Sequence, residues 1–410
     1  MNVGLAHLPM DMPIERCLTS TRPLRVVGIS RGNPYSPHDT SGLSRNLFNA
    51  VGRHYTLVDR LDTRLPRWQQ GLVALTTVHP TRARWIERYF KNILAFDLIS
   101  RRSRVKLAAV TEPYDVVLQL NGLFHTQGAP YMLYLDNTYR DSALGWPDWN
   151  PLRGQRLAHW YARERALYRD AIHIFVMAHY VARTLNNFYG VPTERISVVG
   201  GGVNIDVATV TERPRRDRSP IILFVGKEFA RKGCDTLIAA FRQIRTQHPA
   251  ARLRIVGPTV PTEPGIESIG RISDHHHLAQ LYAEATIFCL PSRFDPFPGA
   301  IIEAMAHEVP CVSTTVCGIP EIVSDGQTGL LVPPGEPEAL AAALLRLLDN
   351  PEYAARLGAA GRRRTEEHLN WDHVIGRMHV ALEQYCDRAA TRADKACTER
   401  PGGPLPISAR

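Results

Sequence analysis

Twelve short β-favouring runs, each followed by a stretch of helical character or a turn, limit this chain to layered α/β architecture. Six lie in the first half, at residues 25–29, 55–58, 115–120, 131–135, 172–176 and 196–199. Six more follow at 221–225, 253–256, 266–269, 287–290, 311–313 and 330–332. Apolar runs of this length with helices between them are the pattern of parallel strands joined by crossover helices. Between the two sets, residues 209–220 hold four arginines and two prolines, the composition of a solvated connector. The expected division is a loose tail over 1–22, a first doubly wound unit over 23–205 and a linker over 206–219. A second doubly wound unit over 220–368, a helix over 369–386 and a disordered tail over 387–410 complete it. The fold class is α/β.

A chain of 410 residues is long enough to bury two separate cores. It has no apolar run near the roughly 20 residues that span a bilayer, and its first 22 residues lack the apolar centre of a signal peptide. Seven cysteines are scattered without zinc spacing or a CxxC pair, so reduced thiols in a cytoplasm are expected. The net charge of +9 is uneven: residues 1–200 hold 25 Lys and Arg against 15 Asp and Glu, the remainder 24 against 25. The basic partner surface therefore belongs to the first unit.

Two loops of the second unit carry the chemistry. The segment Gly226-Lys227-Glu-Phe-Ala-Arg231-Lys232-Gly233 follows a strand and precedes a helix, which aims ammonium groups and helix amides at a diphosphate. A charged surface turn is the plain alternative. The segment from Pro291 to Ala306 places Asp295 and Glu303 eight positions apart across a strand-to-helix turn, with Pro298 and Gly299 at the helix entry. Two carboxylates there face the crevice beyond the strand ends, where open parallel sheets bind ligands.

Taken together, GKxxxRKG, LPSxxDPFPxxxxEAMA and GIPEIVSDGQTGLLVPPG resemble the retaining glycosyltransferases of family 4 (group 1), which have the GT-B fold; the resemblance implies two Rossmann-like domains facing each other across a cleft, with the helix over 369–386 packing back across them. The likeness is dense over 221–348. It is looser in the first half, at Gly32, the Ser41-Gly42 turn, residues 134–138 and 198–204. The resemblance implies a metal-independent transferase that uses a UDP- or GDP-linked sugar as substrate and needs no cofactor. Its acceptor would be a glycan, a lipid-linked molecule or a small molecule, in polysaccharide or glycoconjugate biosynthesis. Glu303 would then take the ribose hydroxyls and Asp295 a sugar hydroxyl, with Phe297, Pro298, Gly299 and Ala300 around the sugar. Lys227 and Lys232, beside Arg231, would neutralise the diphosphate. Gly42 would admit the backbone of the first unit to the same phosphate, and the edge Gly270-Arg271-Ile272 would meet the base. Two departures bear on the sugar. Asp295 stands where the family more often has Glu, and Pro298 replaces a common Gly and removes an N–H. The position where the family often has His aligns with Asp136, expected either to cap a strand end or to orient the reaction. His125 is a second histidine candidate, with a plain loop residue as its alternative.

Three further features invite readings. Gly200-Gly201-Gly202 lacks the Lys and Ser/Thr of a P-loop and reads as a hinge or close backbone approach. His275-His276-His277 has no acidic or cysteine partner at ligand spacing and reads as a solvated turn, so no metal site is expected. Residues 82–106 hold eight Lys and Arg against two acids, interleaved with Trp85, Tyr89 and Phe96. That is an amphipathic surface for anionic lipid on the inner face of the cytoplasmic membrane, or a domain helix with its aromatic side in the core. The rival functions are a sugar phosphorylase or nucleotide-sugar epimerase on the same fold, and a basic membrane- or nucleic-acid-binding protein. Glu303 favours a ribose, and hence a nucleotide donor; nucleic acid is not an expected partner.

Overall fold

The computed structural model describes residues 23–36, 42–80, 85, 88–205, 219–261 and 263–398, with side chains through Tyr385. The expected tail over 1–22 and nearly all of the linker over 206–219 lie outside the described residues, as does Ser41. Two six-stranded sheets form, every named ladder parallel, in the orders β2-β1-β3-β4-β5-β6 and β12-β11-β10-β7-β8-β9. In the first sheet the strands are β1 Arg25–Ser30, β2 Thr56–Asp62, β3 Val116–Leu120, β4 Tyr131–Leu135, β5 Ile174–Val176 and β6 Ile196–Val198. The second comprises β7 Ile221–Val225, β8 Arg252–Val256, β9 Ile266–Gly270, β10 Ile287–Leu290, β11 Cys311–Thr314 and β12 Gly329–Val332. All twelve expected runs are strands, because buried parallel strands read as continuous apolar runs.

Alternate residues of the first sheet feed two cores. Val27, Ile29, Val117, Leu133 and Val176 face one side; Val26, Leu118, Met132, Tyr134 and Phe175 face the other. That second side is covered by α1 (Leu43–His54) and by α12 (Trp371–Thr398), whose Trp371, Val374, Ile375, Met378 and Leu382 repeat at helical spacing. The last helix thus starts beside the second core at Leu369 and returns to the first sheet. Residues 387–398, expected in a disordered tail, instead continue that helix in backbone, as strong helix formers such as Arg388, Ala389, Ala390, Arg392 and Ala393 favour.

Other helices include α2 Arg67–Leu75, α3 Ile93–Ala108, α4 Tyr139–Gly145, α5 Gly154–Asp170, α6 His179–Asn187, α7 Cys234–Gln247, α8 His275–Glu284, α9 Gly299–Ala306, α10 Pro337–Leu348 and α11 Pro351–His368, with one further short turn of helix at Ile319–Ile322. Of the basic stretch over 82–106, residues 82–84, 86 and 87 lie outside the described residues. Asn92 caps α3 by accepting from Ala95 N at 3.2 Å, and Phe96 follows the core alternative, meeting Trp160 edge-on at 5.7 Å. The segment over 61–78 contains the end of β2 and helix α2. Among the described residues Cys234, Cys289 and Cys311 are buried free thiols. No helix there is long and apolar enough to cross a membrane.

Candidate active site

In the second sheet β7 and β10 are neighbours, and the chain leaves them in opposite directions, through β8 and β9 on one side and β11 and β12 on the other. Such a switch point opens a crevice at the C-terminal strand ends. The lysine loop follows β7 and the acid loop follows β10, so both empty into that crevice. Gly233 draws them together. It caps α7 at φ 70°, and a Cβ there would fall 1.9 Å from the Pro291 carbonyl oxygen. Only glycine lets the two backbones approach this closely.

On this frame Lys232 Nζ donates to Asp295 Oδ2. Asp295 is 5% exposed, accepts from Ser292 Oγ at 3.3 Å and has Arg231 Nη1 3.8 Å from its other oxygen. Burial lowers the Lys232 pKa, opposed by the charge of Asp295. Lys227 stands exposed at the mouth of the same loop. Arg231, expected among the donor contacts, donates to Phe294 O at 2.8 Å and Glu228 Oε1 at 2.7 Å, while its Nε is buried without a hydrogen-bond partner in the protein. These bonds hold the acid loop.

Glu303 lies one turn into α9 and accepts from the Tyr282 hydroxyl at 3.0 Å. Burial raises its pKa, with the Tyr282 hydrogen bond pulling the other way. Pro298 caps α9 without a side-chain acceptor, so the first amides, beginning with Gly299 and Ala300, have no cap within the helix. Phe297 is partly buried. Its ring packs between both cores against Gly201, where a Cβ would lie 3.0 Å away. Gly202 is as tight against Trp371, at 2.6 Å, which makes the triple glycine a close backbone approach. At the β9 edge Gly270 has φ 77°, Arg271 is exposed and Ile272 packs on the core.

From the first sheet, Asp136 emerges at the end of β4. It is exposed to the cleft yet surrounded by protein, and desolvation pushes its pKa to about 6. Backbone N–H groups of Asp136 and Asn137 oppose that shift, while the negative charge of Asp295 adds to it. The residue therefore caps the strand end and also faces the acid of the second sheet. Beside it the Asn137 side-chain oxygen is buried without a hydrogen-bond partner in the protein. The β1/β3 edge is the switch point of this sheet. There Gly42 opens α1 at φ 79°, and Arg31 stacks on Phe90 at 4.4 Å with one guanidinium nitrogen buried and unpartnered. His125 does not join them: it sits 3.5 Å from Asp170 in a groove between α3 and α5.

Trp149 bridges the two units. Its indole N–H donates to Glu228 at 3.1 Å, and its ring lies under the Arg231 guanidinium at 4.3 Å and edge-on to Phe294 at 5.8 Å. Tyr282, Ser292, Asn137, Arg31 and Trp149 were not singled out in the sequence. Tyr282 reads there as one more apolar helix position, and Trp149 as part of a loop. His275 to His277 form the first turn of α8, with Asp274 accepting from His276 N at 2.9 Å. No cluster of three or more potential metal ligands occurs among the described residues.

Residues 219–350 match the family model described as Glycosyl transferases group 1. The chain is 34% identical over 215 residues to an MMP alpha-(1->4)-mannosyltransferase of Mycolicibacterium hassiacum, covering 49% of this chain and 51% of that protein. It is 30% identical over 263 residues to a D-inositol 3-phosphate glycosyltransferase of Corynebacterium glutamicum, covering 58% and 60%. The matches thus span little more than half the length of these relatives. Among solved structures, sucrose-phosphate synthase from Thermosynechococcus elongatus superposes with a TM-score of 0.65 at 18% identity, over 89% of this chain and 100% of that one. Anabaena HepE in complex with UDP and glucose superposes at 0.57 and 13%, over 88% and 99%. These two share the GT-B fold with this chain.

Proposed function

We propose that this chain, which belongs to the group 1 glycosyltransferases through residues 219–350, transfers a sugar from a nucleoside-diphosphate donor to an acceptor hydroxyl with retention at the anomeric carbon. One observation carries the reading: Lys232 pairs with Asp295 at the switch point of the second sheet, on the loop that leads into the helix of Glu303, and Asp136 of the first sheet is close enough to feel the charge of Asp295. Glu303, held by Tyr282, accepts hydrogen bonds from the vicinal ribose hydroxyls. Asp295 takes a hydroxyl of the sugar once Lys232 turns from it to the diphosphate. Lys227 and the amides at the start of α9 meet the same charge. As the bond between the anomeric carbon and the leaving oxygen breaks, negative charge grows on the diphosphate, where the ammonium groups lower the barrier. The acceptor oxygen bonds to the anomeric carbon from the same face, and its proton passes to the departing phosphate oxygen. Asp136 lies where a carboxylate stabilises the positive character of the sugar ring. Closure through Trp149 keeps water from competing.

The reading puts the enzyme in a reducing cytoplasm, in keeping with three buried free thiols, and assigns it to glycoconjugate or polysaccharide synthesis. Thermal melts with UDP, GDP and their sugars test it. One nucleotide series should raise the midpoint in the parent and not in Glu303→Ala. Equal melting with every nucleotide, or turnover of Lys232→Ala within a few-fold of the parent, would refute it.

A further inference from the structure

Helix α2 turns the wrong side to water. Only Val73 of its apolar residues reaches the core, while Trp68, Leu72 and Leu75, spaced four and three apart on one face, are 66%, 48% and 73% exposed. The neighbouring segment extends this face. The Trp85 indole N–H donates to Ala74 O at 3.0 Å and the Asn92 amide to the Thr76 hydroxyl at 3.1 Å, which sets Trp85, Phe90 and Leu94 alongside; they too are exposed. Monomeric surfaces rarely leave contiguous apolar groups of this size unoccupied.

Charge identifies the occupant. Residues 64–94 contain six Lys and Arg against one acid, and α2 itself has no acidic residue. A second copy seated on this face would set like charges against each other across an isologous interface. Apolar side chains on so basic a segment match instead a surface that is apolar below and anionic at its rim.

We propose that the α2 face docks this protein on an anionic lipid bilayer, with Trp68, Leu72 and Leu75 at the acyl boundary and the exposed Arg64 and Arg67 among lipid phosphates. The face leads into the cleft, since Phe90 carries Arg31 at the end of β1. Its consequence, that the acceptor is presented from the membrane surface, rests on the transferase reading; the docking itself does not.

Flotation of the full chain with phosphatidylcholine vesicles, with and without phosphatidylglycerol, tests this at low and high salt. Binding is expected to the anionic vesicles alone and to weaken with salt. The double variant Leu72→Glu/Leu75→Glu should lower the partition coefficient by about tenfold or more per leucine. Both positions are exposed, so its melting temperature and nucleotide-induced stabilisation should match the parent. Loss of nucleotide stabilisation in the parent would strike the transferase reading and leave docking standing. Failure of the parent to bind anionic vesicles, or equal binding by the double variant, overturns the docking proposal. So does a concentration-dependent dimer that the double substitution abolishes without vesicle binding.

Discussion

Replacing Asp136 by Asn should stabilise the protein, and only above a defined pH. The carboxyl titrates at about 6 instead of 3.8, chiefly because the cleft desolvates it. Its folded pKa lies above the unfolded one, so its charged form opposes folding. That penalty is absent below about pH 4, grows between 4 and 6 and is complete above 6. At full strength such a displacement corresponds to about 3 kcal/mol. Because Asp136 stays in contact with cleft water, screening reduces this to about 1–2 kcal/mol. Asparagine retains the oxygen that accepts the two backbone N–H groups and lacks the charge. For a unit of this size the gain corresponds to about 3–6 °C in melting temperature. Melting curves of parent and Asp136→Asn, measured from pH 4.5 to 8, should differ least at the acid end and separate further towards pH 7. Activity should fall in the same variant, as expected when a destabilised carboxylate is kept for function. An equal increment at pH 4.5 and pH 8, or a variant less stable than the parent at pH 8, would refute the desolvation argument.

Three further outcomes follow from the site geometry. Tyr282→Phe removes the hydroxyl that holds Glu303 and should weaken nucleotide binding about tenfold in calorimetry, with little change in secondary structure; unchanged affinity would remove Tyr282 from the site. Gly233→Ala combines φ 70° with a Cβ 1.9 Å from Pro291 O, and should cost more than about 3 kcal/mol in urea unfolding. Gly270→Ala, at φ 77° in open space, should cost about 1 kcal/mol, and equal costs would contradict the close-approach argument. Trp149→Ala should open the cleft, seen as a larger radius of gyration by small-angle scattering and a several-fold higher donor KM; an unchanged radius would remove Trp149 as the clasp.

Much of the second unit was legible. Its strands are buried on both faces, so apolar runs such as Ile287–Leu290 mark them without ambiguity, and Gly, Lys, Asp and Glu at the loop positions name the chemistry. The exposed face of α2 was not legible, because Trp68, Leu72 and Leu75 have the same spacing as a core stripe. Phe96 followed the core alternative and packs on Trp160, while Trp85 on the same stretch stays exposed. Periodicity identifies a face but not what the face meets.

The linear chain alone determined the two parallel sheets, the loops that follow β7 and β10, and the residue types at Lys227, Lys232, Asp295 and Glu303. These depend on local propensity and on patterns within a few positions. Tertiary structure alone decided which groups act together: Lys232 with Asp295 across 63 positions, Tyr282 on Glu303 across 21, and Trp149 on Glu228 across 79. It also tied Arg231 to Phe294 and Glu228, and brought Asp136 within reach of the charge on Asp295. The reason is physical. Contacts between distant positions depend on how closely backbones can approach, as Gly233 allows at Pro291, and a carboxyl's pKa depends on the solvent that folding removes around it.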